Sequence, residues 1–158
     1  TAAFKLGLGT INSIEKSAGA SEDQNATAQV DSVIAAVLFD VEGKVADVII
    51  DTAQTVVEFG ENMQVVSDKE ADYPTKKELG DEYGMAEVSE IGKEWYEQIE
   101  ELEKWMIGKT VDEIKGMDVK MRDENHVAVP DEPELTSRVT ITVEDYLAAV
   151  EEAYKNAE

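Results

Sequence analysis

Apolar positions alternate from Phe4 to about Lys16, with Phe4, Leu6 and Leu8 on one side and Gly7 and Gly9 on the other. This pattern predicts a first strand whose glycines allow a bulge or a close backbone approach. Ala28 to Phe39 is apolar on both sides, Val30, Ile34, Ala36 and Leu38 against Val33, Val37 and Phe39, and a strand of that kind belongs in the middle of a sheet. Asp40-Val41-Glu42-Gly43-Lys44 supplies turn chemistry, and Val45 to Thr55 then runs back with Val48, Ile49 and Ile50. A hairpin is the expected result. Thr55 to Phe59 and Met63 to Val66, parted by Gly60-Glu61-Asn62, predict a second short hairpin at the sheet edge.

The period then changes. Asp68 to Tyr73 is a charged loop ending at Pro74, and Lys76 to Tyr83 predicts one or two helical turns that Gly80 and Gly84 bend. Ile91, Trp95, Ile99, Leu102 and Met106 follow helical spacing, with Ser89 as the expected cap and Gly108 as the stop. Thr110-x-x-Glu113 is a capping-box signature for a short helix through about Lys115. Met117 to Glu134, with Pro130 and Pro133, reads as an exposed connection containing a short strand near Val127 to Val129. Val139 to Ile141 predicts a last strand, and Thr142-x-x-Asp145 a second capping box. The final helix turns Tyr146, Val150 and Ala153 or Tyr154 inward. The sum is an α+β single domain over residues 1–158, an antiparallel sheet of about five strands flanked by helices.

Charge narrows the partners. Thirty-six acidic against fourteen basic residues give a formal charge of -22, which repels polyanions and excludes nucleic acid and anionic membrane surfaces as partners. An acidic shell of this kind also keeps a salt-exposed protein soluble with no specific task. The absence of cysteine removes disulfides, thiolate metal sites and cysteine nucleophiles together. The chain begins at Thr1, as expected for a mature or trimmed region whose leader is not part of it.

Conventional catalytic chemistry finds little purchase. His126 is the one histidine and lies in the proline-flanked connection, where a surface role is expected. Zinc and calcium ligand spacings, a P-loop and a dinucleotide-binding glycine fingerprint are missing. Carboxylate pairs such as Glu97 and Glu101 read as a solvated helix face. The sequence therefore predicts no catalytic residues and no metal. Three hydroxyls, Ser137, Thr140 and Thr142, stand at the entrance to the final helix, where unpaired backbone N–H groups either take a cap or hold an anion. A cleft is expected between Lys76 to Trp95 on one side and Ser137 to Thr142 on the other, with Tyr83, Trp95, Tyr96 and Met85 suited to a flat ring. The same residues also read as ordinary core and turn positions.

Several segments resemble the FMN-binding domain family, whose members include flavin-carrying subunits of membrane redox complexes and surface lipoproteins of anaerobic Gram-positive bacteria. Lys77-Glu78-Leu79-Gly80-Asp81-Glu82-Tyr83-Gly84 is similar to its glycine-rich segment, and Trp105-x-x-Gly108-Lys109 to its aromatic-to-Gly-Lys step. Glu134, Ser137-Arg138-Val139-Thr140 and Thr142 resemble its acidic residue followed by Ser-Gly-Ala-Thr-x-Thr. Arg138 and Val139 stand where that pattern has glycine and alanine. The resemblance implies FMN as cofactor, with Lys77, Glu78, Gly80, Tyr83, Met85, Trp95, Ser137, Arg138 and Thr140 as its binding residues. Thr140 would be the position of a phosphoester, and the Arg138 guanidinium would pair with phosphate. The stretch from Lys76 through Gln98 is similar to uncharacterised surface lipoprotein modules of such bacteria.

The expectation is thus an extracytoplasmic, cell-surface-anchored small-molecule-binding module that holds FMN for electron transfer and works beside a redox partner protein. Its membrane association would come only through a lipid anchor outside this chain. The alternative is a cofactor-free structural or protein-interaction module of a cell-surface lipoprotein. An enzyme working by its own side-chain chemistry ranks third.

Overall fold

The computed structural model describes residues 3–158. β1 (Lys5–Ser13), β2 (Ala26–Phe39) and β3 (Val45–Phe59) form an antiparallel sheet in that order, with β2 central as its two apolar faces require. Around the β2–β3 turn, Asp40 accepts from the backbone N–H of Glu42 and Lys44 through its carboxylate, and Gly43 takes φ 76°. Only a residue without Cβ adopts that conformation cheaply.

Four helices follow: α1 (Lys76–Leu79, continued by a 3-10 turn to Tyr83), α2 (Trp95–Met106), α3 (Val111–Lys115) and α4 (Glu144–Lys155). α4 lies on β1 and β2, and α2 along β3. The inward positions of the sheet, Val33, Ala35, Val37, Phe39, Val48 and Ile50, close on Trp95, Ile99, Leu102 and Met106 of α2 and on Ala149, Val150 and Ala153 of α4. β1 approaches α4 through Gly7 and Gly9, where a Cβ would overlap the carbonyl oxygens of Ala153 and Ala149. Both sheet edges are tied down. Leu6 exchanges backbone hydrogen bonds with Glu158, and the Ile50 N–H at the far edge donates to Glu103 Oε1, which also pairs with Lys77.

The α+β class stands, but the sheet differs from the expected one. There are three strands in it, and β4 (Val119–Lys120) with β5 (Val129–Pro130) make a separate two-stranded ribbon. Val139 to Ile141 is no strand: residues 132 to 139 turn back on themselves, and the Thr140 N–H donates to the Gln98 side chain rather than to a ladder. The second hairpin shrinks to a single bridge, Phe59 with Val65, beside Met63 at φ 57°. Ser89 does not cap α2, because Gly92 at φ 62° turns the chain after it and Glu94 with Glu97 forms the capping box. Thr142 does not cap α4, which starts one residue later with Val143 in the N-cap place and no side-chain bond.

Among the described residues, no helix covers the outward sheet face at β1. Leu6, Leu8 and Ile49 stand 63%, 57% and 57% exposed beside half-buried Ile34, Ala36 and Leu38.

Candidate functional site

A cleft of about 700 Å³ opens where the inward end of the sheet meets the start of α1 and the start of α4. Asp31 and Val33 come from β2, Thr52 and Gln54 from β3, Lys76 from α1, and Thr142, Glu144, Asp145 and Tyr146 from the last turn and α4. That volume suits a small organic ligand.

The position of Lys76 follows from its neighbours. Thr75 caps α1 with Glu78 as its capping-box partner, and Asp51 accepts from the Thr75 hydroxyl at 2.7 Å and from the Lys77 N–H at 3.1 Å. This clamp turns the Lys76 ammonium over the rings of Tyr83 (5.0 Å) and Trp95 (5.2 Å). Among the described residues no carboxylate pairs with it, although Lys16 beside it pairs with Asp31 at 2.7 Å. Burial, reinforced by the Lys16 charge, pulls the Lys76 pKa down from 10.5 to about 8. Holding that proton costs the folded chain roughly 3 kcal/mol at neutral pH. Between about 8 and 10.5 the unfolded chain binds more protons at this group, so its contribution makes stability rise with pH across that window.

Behind Lys76, Trp95 is 1% exposed and donates from Nε1 to the Tyr146 hydroxyl at 3.0 Å, with the two rings edge to face. Burial pushes the Tyr146 pKa up to about 12, so the phenol stays protonated. The Thr142 hydroxyl is buried at this cleft with no hydrogen-bond partner among the described residues, and the Thr52 hydroxyl, also buried, lies beside the Tyr146 phenol without a bond of good geometry. An orphan hydroxyl costs the protein unless something meets it. Thr142→Val is accordingly expected to raise stability by about 1 kcal/mol in urea titration; a loss of stability would show that the hydroxyl is satisfied in solution.

A second buried polar knot joins the two expected walls. Gln98, fully buried, donates from Nε2 to the Lys93 carbonyl (3.2 Å) and Ser89 Oγ (3.4 Å) and approaches Met85 Sδ. Its Oε1 accepts from the Thr140 N–H at 2.9 Å, with the Thr140 hydroxyl at 3.5 Å. Glu94, also buried, accepts from the N–H groups of Met85 and Ala86.

The residues expected to bind a cofactor therefore divide. Tyr83 and Trp95 flank Lys76, and Met85 and Thr140 meet at Gln98. Lys77 is turned to Glu103, Glu78 caps α1, and Gly80 at φ 52° ends it. Ser137 is exposed, and Arg138 pairs with Glu101 at 2.9 Å in a different groove of about 330 Å³. His126 lies in its loop against Asp123, whose pKa its ring draws down to about 2. Sequence reasoning took Lys76 only as the start of one cleft wall and Tyr146 only as an inward helix position, and it did not single out Thr52. The signal for Thr52 was present: it continues the inward register of Val48 and Ile50, where a polar residue has to meet something.

No family model matches the chain, and no solved structure matches it. A 53-residue stretch, 34% of this chain, is 45% identical to chlorophenol reductase of Desulfitobacterium hafniense. The match spans 16% of that protein's length, so the likeness is local.

Proposed function

We propose that this domain is an extracytoplasmic small-molecule-binding module whose cleft at Thr52, Thr142 and Tyr146 takes a planar ligand, FMN, for electron transfer. The observation that carries the reading is the pair of buried hydroxyls, orphaned Thr142 and poorly satisfied Thr52, in a cleft of ligand size beside the Tyr83–Trp95–Tyr146 cluster. Buried donors without partners are satisfied when a polar ligand arrives, and aromatic side chains favour a flat one. The residues fit a ligand held without a covalent bond. They fit a phosphoester on Thr140 poorly, because that hydroxyl is turned to Gln98. Bound flavin would supply the redox chemistry, while the protein supplies position and field. The local likeness to a protein named as a reductase supports a redox role. In this reading the domain is held at the cell surface by an anchor outside this chain and meets a redox partner protein.

A second reading, a cofactor-free interaction module, is favoured by the open apolar face at Leu6, Leu8 and Ile49. Titration of the purified domain with FMN separates the two. Flavin fluorescence should be quenched, and at a hundredfold excess over Kd the melting temperature should rise by about 5–10 °C. Thr52→Val should weaken the effect about tenfold. If neither signal moves at millimolar FMN, the interaction reading replaces the flavin reading.

A further inference from the structure

We infer that the Lys76 ammonium, together with the Thr52 and Thr142 hydroxyls, is a receptor for the oxyanion of the ligand, a carboxylate or phosphate group carried on a planar body. The inference rests on the reading of this cleft as the ligand site and adds the charge class of what enters it.

The anomaly is electrostatic. In a chain with thirty-six acidic and fourteen basic residues, a lysine at a partly buried position should find a carboxylate easily. Lys76 finds none among the described residues, and the two carboxylates whose charges act on it are engaged elsewhere. Asp51 is spent on Thr75 and the Lys77 N–H, and Asp31 on Lys16 and Gln29. What faces Lys76 instead is two ring faces and a cleft lined by Thr142, whose hydroxyl has no partner among the described residues, and by Thr52, 3% exposed, whose hydroxyl has only the Tyr146 phenol beside it. One cation and two hydroxyl donors around one opening match the lone pairs of a carboxylate or phosphate.

The surroundings refine the ligand class. Glu15, Glu124, Glu144 and Asp145 line the same cleft and oppose a bare inorganic anion. An anion attached to a flat apolar body has Tyr146, Val33 and Val127 of the cleft lining to pack on, contact that offsets that field. The charged and titratable groups around Lys76 are Lys16 and Asp31 on the sheet side, Asp51 beside α1 and Tyr83 under the ammonium, and Tyr146 with the four carboxylates of the rim lines the same cleft. With its pKa at about 8, the Lys76 ammonium loses its proton as pH climbs from 7 to 9, and anion affinity should fall with it.

Two ligand pairs test this, each an anion and a neutral counterpart: FMN with riboflavin, and 2-naphthoate with 2-naphthamide. In the wild-type domain the anionic member of each pair should bind about tenfold tighter or better at pH 7. Lys76→Met should erase that preference, Lys76→Arg should keep most of it, and it should shrink by pH 9. A preference shown only by FMN assigns the receptor to phosphate, and one shown only by naphthoate assigns it to carboxylate. Equal binding within both pairs, or a preference that survives Lys76→Met, overturns the receptor. Equal binding of FMN and riboflavin with no naphthoate preference leaves the flavin reading standing and removes this one. Failure of both flavins with a Lys76-dependent naphthoate preference does the reverse. No binding by any of the four probes removes both. Should Lys76→Met fail to fold, the Lys76 Cε resonance of the wild-type domain gives the answer. Its titration midpoint must rise by about one pH unit with the anionic probe and stay put with the neutral one.

Discussion

Gly9→Ala is expected to cost the domain about 3 kcal/mol, with Gly7→Ala close behind, a lower urea midpoint at unchanged slope being the signature. The cause is backbone against backbone. A Cβ on Gly9 would overlap the Ala149 carbonyl, and one on Gly7 the Ala153 carbonyl, neither of which can swing aside as a side-chain tip would. Relief requires α4 to lift from β1, which strips Ala149, Val150 and Ala153 of their contacts. Gly19 serves as the control, since nothing lies within 4 Å of its added methyl. Gly19→Ala should stay within about 0.5 kcal/mol of wild type. Equal effects at Gly9 and Gly19 would mean that α4 does not sit on β1 as described. Because Asp145 and Tyr146 open α4 at the cleft, lifting the helix should also weaken any ligand held there.

The close approach at Gly7 and Gly9 was legible because alternation puts both glycines on one side of a strand. β2 and the β2–β3 turn were legible for similar reasons: apolar residues at both parities have only the sheet centre as a home, and Asp40 with Gly43 has one turn to make. Local patterns failed where a distant side chain outbid them. Val139 to Ile141 has strand composition, but Gln98, some forty residues earlier, takes the Thr140 N–H that a ladder would need. Thr142 has the spacing of a cap, yet Val143 takes the N-cap place, α4 begins at Glu144, and the Thr142 hydroxyl is left without a partner among the described residues. Glu94 outbid Ser89 because an acidic side chain can cap its own helix while also binding the N–H groups of Met85 and Ala86.

The site was half legible. Sequence placed Trp95 and Tyr83 on one wall and Thr142 on the other, and Lys76 and Tyr146 link those walls. It could not show that Arg138 would be drawn off by Glu101, because no local rule reports which of thirty-six carboxylates a guanidinium will meet. Nor could it single out Lys76 from Lys77. The two differ only in which side of one short helix turn they occupy, and that is decided by Asp51 on β3.

Trp95→Ala should be the most damaging side-chain change, a loss of about 4 kcal/mol by urea titration. The indole is buried between the sheet and α4, and its removal leaves a cavity, an orphaned Tyr146 hydroxyl and a Lys76 ammonium with one ring face instead of two. Trp95→Phe separates these contributions. It keeps a ring under Lys76 and fills most of the space, but it cannot donate to Tyr146, so a smaller loss of about 1–2 kcal/mol is expected. Ligand binding should order the same way, with the phenylalanine variant retaining part of the affinity and the alanine variant none. The combination carries the physical content: if Trp95 were only core, the stability losses would appear while binding by the refolded fraction stayed intact. If it is also the back wall of the cleft, affinity must fall further than stability explains, and Trp95→Phe must lose more affinity than Thr142→Val, which removes a hydroxyl from the same cleft without disturbing the ring.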